Sequence, residues 1–331
     1  DHKKAIKQFH VCASLLWTEE KVTRNRNKEL FKAPILLIKH GLKRLKAVAA
    51  ISNSAVLYQH SLTGIKGDIA ILRTLCGLLN SYLFSYYMIH ASVAGIDRGR
   101  AHDEEKFDFP YISNIQITEY VKKIEVISKR IFEQKQNILN SKLQLQEDEK
   151  QHLLDDLNDE ILKSFDLNEQ EKTLVDYAVT ITIPLIMKHD DTLFTPLKFE
   201  APFLKDYAEI FISRFKSSLE KCKKAFRIQI LHNNYIIGMF FCVTNQAKKS
   251  ESVSWESKSD DEMLLKLSSL GYQKITENLF IQKDIRGFEN DGFYIIKPNE
   301  KKLWHKAIAY LDADEFADAM LKEGGKVEHG V

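Results

Sequence analysis

A long uncharged segment that breaks suddenly into glycine, arginine and acidic residues is the feature that most constrains the fold. Residues 74–96 contain no Asp, Glu, Lys or Arg, and these 23 residues are enough to cross a membrane as a helix. Asn80, His90 and several Ser and Tyr side chains would be costly in hydrocarbon, however, and the flanks carry no clear polybasic anchor. The segment therefore predicts a helix buried in a protein core, with His90 as a hydrogen-bonded core histidine.

The loop that follows this segment combines cations with glycine. Arg98 and Arg100 flank Gly99, and His102 comes just before an acidic stretch. Guanidinium groups make bidentate hydrogen bonds to phosphate or to guanine, and glycine allows close backbone approach to a ligand. The loop is a candidate DNA contact, and an ordinary solvated basic loop is the alternative.

A second group of cations follows a short apolar run, Ala33–Lys39, that is rich in branched residues and predicts a buried strand. A loop at the end of such a strand would project its cations away from the core. Lys66, between Gly64 and Gly67, belongs to the same basic region. The candidate DNA-binding residues are Lys39, His40, Lys43, Arg44, Lys66, Arg98, Arg100 and His102.

Charge is distributed unevenly along the chain. The whole chain has a formal charge of only +2, but residues 1–110 hold 17 Lys and Arg against 10 Asp and Glu, a balance of +7. The remaining residues hold 31 against 36, a balance of −5. A basic first third joined to a mildly acidic remainder is typical of a DNA-contacting domain attached to a structural one, and chance segregation is the alternative.

The four cysteines, at positions 12, 76, 222 and 242, are widely scattered and form no C-x-x-C pair. This spacing argues against a zinc ribbon and against a disulfide framework, and it favours a reducing cytoplasm. The first residue is Asp1 rather than Met, so we expect the chain to be a piece of a longer protein.

The pattern of apolar residues predicts an α+β protein in three parts. Residues 1–115 read as a mixed α/β domain with adjacent short strands at 47–51 and 55–58, a loop at 64–68 and a helix from Asp68. Residues 116–195 read as a helical spacer: one helix from Thr118 to about Glu149, a second over 153–165, and a third begun by a capping box at Asn168 and Glu171. This part either packs against a partner helix or is a solvated spacer.

Residues 196–331 read as a small accessory α+β domain. Its predicted elements are a helix at 205–224, a hairpin of strands 226–231 and 235–244, a mobile polar loop at 245–260, a helix at 261–270, strands near 278–282 and 292–297, and a last helix at 301–321. Tyr294 and Trp304 are expected in the core rather than on an aromatic surface for a base or a partner.

Sequence motifs for catalysis are missing. The chain has no glycine-rich G-x-G-x-x-G loop, no Pro-Pro pair and no G-x-S-x-G nucleophile elbow. The acids Asp97 and 103–105, next to Lys106, are a weak candidate for a divergent metal-dependent nuclease, because such loop clusters are usually solvated turns. A second acidic group, 155–160, lies on a predicted helix and is expected to be an exposed face.

The order of elements over Phe31–Ile112 resembles the target-recognition domain of adenine-specific DNA methyltransferases from bacterial restriction–modification and phage-defence systems. The similarity is carried by the strand before Lys39, the glycine-containing basic loop at 39–44, and the helix leading to Gly95 and Arg98, with helical support through Met187. Residues 292–299 with Trp304 and His305 are also similar to the endings of methyltransferase-like defence proteins.

The resemblance implies sequence-specific recognition of duplex DNA within an S-adenosylmethionine-dependent enzyme. The family's Asn-Pro-Pro-Tyr type catalytic tetrapeptide and cofactor loop do not occur here, so no catalytic, cofactor-binding or metal-binding residues are expected in this chain. S-adenosylmethionine is expected in a catalytic domain upstream or in a separate subunit, which would flip the target adenine. The alternative is a scaffold subunit of a restriction or defence complex, docking its partner through helices at 117–187 without DNA affinity of its own.

Overall fold

The computed structural model describes residues 5–12, 27–43, 45–58, 61–90, 103–136, 143–187, 191–221, 223–245, 252–271, 284–289 and 291–328. The fold is α+β, as predicted. The chain divides into two compact units, Asp1–Met187 and Lys188–Val331. Each is described by itself below.

The first unit contains a three-stranded antiparallel sheet and a small hairpin. The hairpin is formed by β1 (Ile6–Lys7) and β2 (His10–Val11), and the sheet has the order β4-β3-β5, with β3 (Ile35–Lys39), β4 (Ala49–Ser52) and β5 (Leu62–Lys66). The strand predicted at 55–58 is wrong, and the third strand is β5, where a loop was expected. In β5, Gly64 leaves space for the Tyr58 ring, since a Cβ at this position would overlap the Tyr58 hydroxyl.

The described residues of the first unit include seven helices. They are α1 (Ile69–Leu79), α2 (Tyr82–His90), α3 (Asp103–Phe107), α4 (Ile115–Gln136), α5 (Leu143–Ser164), α6 (Glu169–Tyr177) and, after a π-helical turn at 178–182, α7 (Ile183–Met187). Of these, α1, α2, α4 and α5 pack on one face of the sheet. Leu36 and Ile38 point into a core shared with α1, α2, α4 and α5, whereas Ile35 and Leu37 point to a second cluster with Val48 and Ala50. This alternation is the two-residue period of a strand buried on both faces.

The α4–α5 hairpin therefore belongs to the core of the first unit. Ile117, Val121 and Ile124 of α4 and Leu157 of α5 are fully or almost fully buried against α1 and the sheet. The predicted boundary near residue 115 thus separates elements that share one core, and the helices contact the chain's own sheet rather than standing as a solvated spacer.

Two expectations about helices in this unit are wrong. The helix break predicted between Glu149 and residue 153 is absent, because α5 is continuous from Leu143 to Ser164; residues 137–142, between α4 and α5, lie outside the described residues. His90 is exposed at the end of α2, where its ring contacts Tyr86 with centroids 4.6 Å apart and the ring planes tilted by 45°, and it is not a core histidine. The acidic residues 155, 156 and 159 are exposed on α5, as expected.

The uncharged segment of the sequence is split between two helices. Within the described residues, no single helix is long and apolar enough to cross a membrane, although α1 and α2 together meet the length and composition test across a 59° bend. Leu72, Cys76, Phe84 and Met88 from these two helices lie in the core of the first unit.

The second unit is a five-stranded sheet with helices on both faces. Its strands are β6 (Lys224–His232), β7 (Ile236–Asn245), β8 (Val253–Ser257), β9 (Ile285–Glu289) and β10 (Gly292–Pro298), in the order β8-β6-β7-β10-β9, with only the β8–β6 pair parallel. The helices α8 (Pro202–Lys221) and α10 (Lys306–Glu328) contribute to the larger core, and α9 (Asp260–Gly271) packs on the opposite face.

Several predictions for this unit are confirmed and two are corrected. The hairpin and α9 lie where expected, and Trp304 and Tyr294 are core residues, 0% and 8% exposed. Residues 253–257, predicted to be part of a mobile loop, form β8, because Val253 and Trp255 pack on the core while the backbone pairs with β6. The last helix starts at Lys306 rather than at 301, where His305 Nδ1 accepts a hydrogen bond from the Ala307 amide at 3.1 Å. The strand predicted at 278–282 lies outside the described residues.

Candidate nucleic-acid interface

Three of the predicted DNA-binding residues lie together at one end of the three-stranded sheet. Lys39 is the last residue of β3, and its amide donates to the Val48 carbonyl at 3.0 Å. The His40 ring is joined to Thr63 Oγ1 at 2.8 Å. Lys43 opens a tight turn closed by backbone hydrogen bonds to and from Lys46, at 2.8 and 3.1 Å. Backbone pairing thus fixes the positions from which these side chains leave the sheet.

Lys66 lies at the other end of the sheet. It is paired in register with Ile35, the first residue of β3, whereas Lys39 is paired with Leu62. Four residues of strand separate the two ends by about 13 Å. The exposed Lys66 ammonium donates to the Lys32 carbonyl. The structure therefore does not bring Lys66 into the same cluster as Lys39 and Lys43.

The remaining predicted residues, Arg44, Arg98, Arg100 and His102, lie outside the described residues.

Residues that were not predicted extend the basic group at Lys39 and Lys43. The Cys12 thiol lies within electrostatic range of Lys7, Lys39 and Lys150, and Lys150 in turn lies near Lys135. Lys39 is also near Lys43. We call this chain of neighbours the basic surface; its members are Lys7, Lys39, Lys43, Lys135 and Lys150.

A cavity of about 250 Å³ opens within the basic surface. The β1–β2 hairpin, α4 and α5 form its walls. The hairpin contributes Lys7, Gln8 and His10; α4 contributes Ser128, Ile131, Phe132 and Lys135; and α5 contributes Glu147, Lys150, Gln151 and Leu154. The residues from each helix are spaced three, four and seven apart, which places them on one helical face.

Burial and neighbouring positive charges lower the pKa of two lysines and one histidine in this region. Burial, reinforced by Lys135 and Lys7, lowers the pKa of Lys150 below its ordinary value. The pKa of Lys39 is lowered by burial and by Lys43, and that of His10 by burial, Lys150 and Lys7. A bound anion would relieve this repulsion, because it favours the protonated form of each group.

The cavity could not be predicted from local sequence patterns. Lys7, Lys135 and Lys150 are far apart in sequence and meet only because the hairpin packs on α4 and α5. One signal was present: Ser128 interrupts the apolar stripe of Ile124, Ile127 and Ile131 at a position that proves to be buried. A polar residue at a core position indicates a hydrogen-bonding need there.

Acidic residues form no comparable centre in the part of the chain that the structure covers. No group of three or more His, Cys, Asp or Glu side chains with metal-binding geometry occurs among the described residues. The acids at 103–105 lie on the short helix α3, and Asp97 is outside the described residues. The described residues thus offer no additional support for the nuclease alternative.

The basic surface is accordingly the feature of the first unit that best suits an anionic ligand, since its members all carry positive charge. Comparison of the chain with protein-family models, with curated proteins and with solved structures gave no match.

Proposed function

We propose that this chain recognises duplex DNA as the target-recognition part of an S-adenosylmethionine-dependent, adenine-specific DNA methyltransferase. In this proposal the first unit grips DNA, and a catalytic domain or subunit outside this chain binds the cofactor and methylates the flipped adenine. The likeness of residues 31–112 to such recognition domains supports the assignment to adenine methylation.

One observation carries the DNA-binding part of the proposal: Lys7, Lys135 and Lys150 line one cavity, and the Cys12 thiol interacts electrostatically with Lys7, Lys150 and Lys39, the last of which interacts with Lys43. Clustered lysines on one face are the electrostatic footprint of phosphate contacts, which fix the position of a protein on DNA. Glu147 pairs with Lys135 at 2.6 Å, whereas Lys7 and Lys150 form no ion pair within the described residues.

Sequence choice is assigned to Arg98 and Arg100, in the segment predicted from sequence to be a loop. Arginine reads guanine through two parallel hydrogen bonds, so each correct contact contributes about 1–3 kcal/mol of discrimination. Lysines of the basic surface would bind the phosphates of duplex DNA whatever its base sequence. The proposal therefore separates a general phosphate grip from a local base-reading loop.

Alanine substitution of the two arginines tests this division. Selection from a random duplex pool should enrich a motif with the parent chain, and Arg98→Ala or Arg100→Ala should relax at least one position of that motif. Lys39→Gln should instead weaken binding to all sequences about equally. If both arginine variants select the parent motif with the parent affinity, the assignment of base reading to this loop is wrong.

A further inference from the structure

The cavity in the basic surface contains two buried polar atoms that have no partner. Ser128 is 4% exposed, and its Oγ makes no hydrogen bond in the structure. A helical serine often donates to the carbonyl four residues earlier, yet Ser128 does not. His10 Nε2 is also buried without a partner. Such atoms cost free energy unless a ligand or water satisfies them.

The other polar groups of the cavity show which kind of ligand would fit. The Gln8 and Gln151 amides already donate to the Ala47 carbonyl at 2.9 Å and to Asp155 Oδ1 at 2.8 Å. Glu147 is held by Lys135. Lys7, Lys150, Ser128 and the His10 ring therefore remain as hydrogen-bond donors around one space, and a ligand made only of acceptor oxygens is complementary to them.

The charge and the size of the cavity further limit the class of ligand that would fit. Three lysines and one glutamate line the cavity, which leaves two positive charges in excess. A phosphate monoester carries close to two negative charges near neutral pH, whereas each internal phosphate of DNA carries one. A volume of about 250 Å³ exceeds the roughly 30 Å³ that one water occupies in the liquid several times over, so a phosphate group with part of its ester fits.

We propose that this cavity is a binding site for a phosphate monoester, with Lys7 and Lys150 binding its charge and Ser128 and His10 donating hydrogen bonds to its oxygens. The site shares Lys7 and Lys150 with the basic surface, and Ser128 and His10 distinguish it from the phosphodiester contacts proposed above. Its test with inorganic phosphate does not depend on duplex binding. Two sources supply this chemistry: a small phosphorylated molecule such as a mononucleotide, or the 5′-terminal phosphate of a DNA strand.

Isothermal titration of the chain with inorganic phosphate, at constant ionic strength, tests the site. We expect saturable binding with one phosphate per chain, and a loss of affinity of at least about tenfold in Lys150→Gln and in Lys7→Gln, because each removes a charge-assisted hydrogen bond. Ser128→Ala should weaken binding by several-fold. Lys122→Gln, an exposed position on the same helix α4, should bind phosphate as the parent does.

The His10 imidazole provides a second readout in the unaltered protein. His10 faces Lys7 on its own hairpin, Lys129 and Glu133 on α4, and Lys150 on α5. Saturating phosphate should raise the His10 pKa, followed by NMR of the ring, since a nearby anion favours the protonated ring. Absence of phosphate binding, or binding unaffected by any of the cavity substitutions, would overturn the proposal even if duplex DNA binds.

The source of the phosphate is decided by comparing short duplexes with and without 5′-phosphates. Preference for the phosphorylated duplex, lost in Ser128→Ala, supports a DNA end as the ligand; equal affinity with intact phosphate binding supports a small phosphorylated molecule. Phosphate binding without any affinity for DNA would support this site and contradict the proposed function.

Discussion

Lys297 illustrates how single residues stabilise the second unit. Its side chain is 2% exposed, and its ammonium group pairs with Asp312, whose side chain is 3% exposed. Asp312 also accepts from the Tyr207 hydroxyl and from Arg286 Nη2, the latter at 2.6 Å. The Lys297 charge lies over the rings of Tyr207 and Trp304, 5.1 and 5.5 Å from their centroids. Asp312 is the carboxylate partner of the buried Lys297, whereas Arg286 also pairs with Asp284 and Glu315.

Replacing Asp312 by Asn should therefore destabilise the second unit strongly. Removal of one partner of a buried pair leaves the other charge buried and uncompensated, at a cost of about 3–5 kcal/mol. Denaturant unfolding measures the change. Asp314→Asn, two residues along α10, is the matched control: its pair with Arg214 is exposed, so the loss should be below about 1 kcal/mol. Equal effects of the two substitutions would show that burial of the network does not determine its contribution.

Among the elements, α1 and β4 are joined by the hydrogen bonds of one amide side chain, in addition to their apolar packing. Asn80, 8% exposed at the end of α1, accepts from the Ala49 amide at 3.0 Å and donates to the Ala49 carbonyl at 2.9 Å. It also donates to the Cys76 carbonyl of its own helix at 3.0 Å. The side chain thus completes the backbone hydrogen bonding of a strand and a helix at once.

Asn80→Ala should lower the stability of the first unit by about 1–3 kcal/mol, because it leaves the buried Ala49 amide without an acceptor. Hydrogen exchange at Ala49 should quicken in the variant. Asn53→Ala is the control, since Asn53 is exposed in the turn after β4 and should change stability by less than about 0.5 kcal/mol. A variant Asn80→Ala as stable as the parent would contradict this role.

Elements that depend on neighbours in sequence were predictable, and those that depend on distant partners were not. The capping box at Asn168 and Glu171 is confirmed, with both reciprocal hydrogen bonds formed at 2.8 and 2.9 Å. By contrast, β8 has the composition of a polar linker and becomes a strand through pairing with β6, whose residue Ile228 lies opposite Val253. Local patterns carry no information about such pairing.

At the scale of the whole molecule, the two compact units have separate cores, and each should unfold on its own. We expect denaturant unfolding to show two transitions, with Asn80→Ala shifting one and Asp312→Asn shifting the other. Circular dichroism distinguishes them when it is combined with the tryptophan fluorescence of a Trp17→Phe background, because the two remaining tryptophans, Trp255 and Trp304, both lie in the second unit. A single transition shifted equally by both substitutions would contradict the division.

The candidate interface was partly predictable for the same physical reason. Lys39 and Lys43 follow a strand that is evident from its own residues, and this strand is present. Lys7, Lys135 and Lys150 join them only through packing of the hairpin on α4 and α5. Sequence reasoning could thus identify the start of the basic surface and not its extent.

Binding of the chain to random duplex DNA, followed by fluorescence anisotropy across a salt series, tests the central claim most directly. The account predicts a dissociation constant that rises steeply with salt, and a slope of log affinity against log salt reduced by about two in the double variant Lys39→Gln and Lys43→Gln, since each phosphate contact contributes about 0.9. Lys216→Gln, at an exposed ion pair in the second unit, should leave the slope unchanged. No binding even at low salt, or a slope that the double variant leaves unchanged, would contradict the account and favour a scaffold role without DNA affinity.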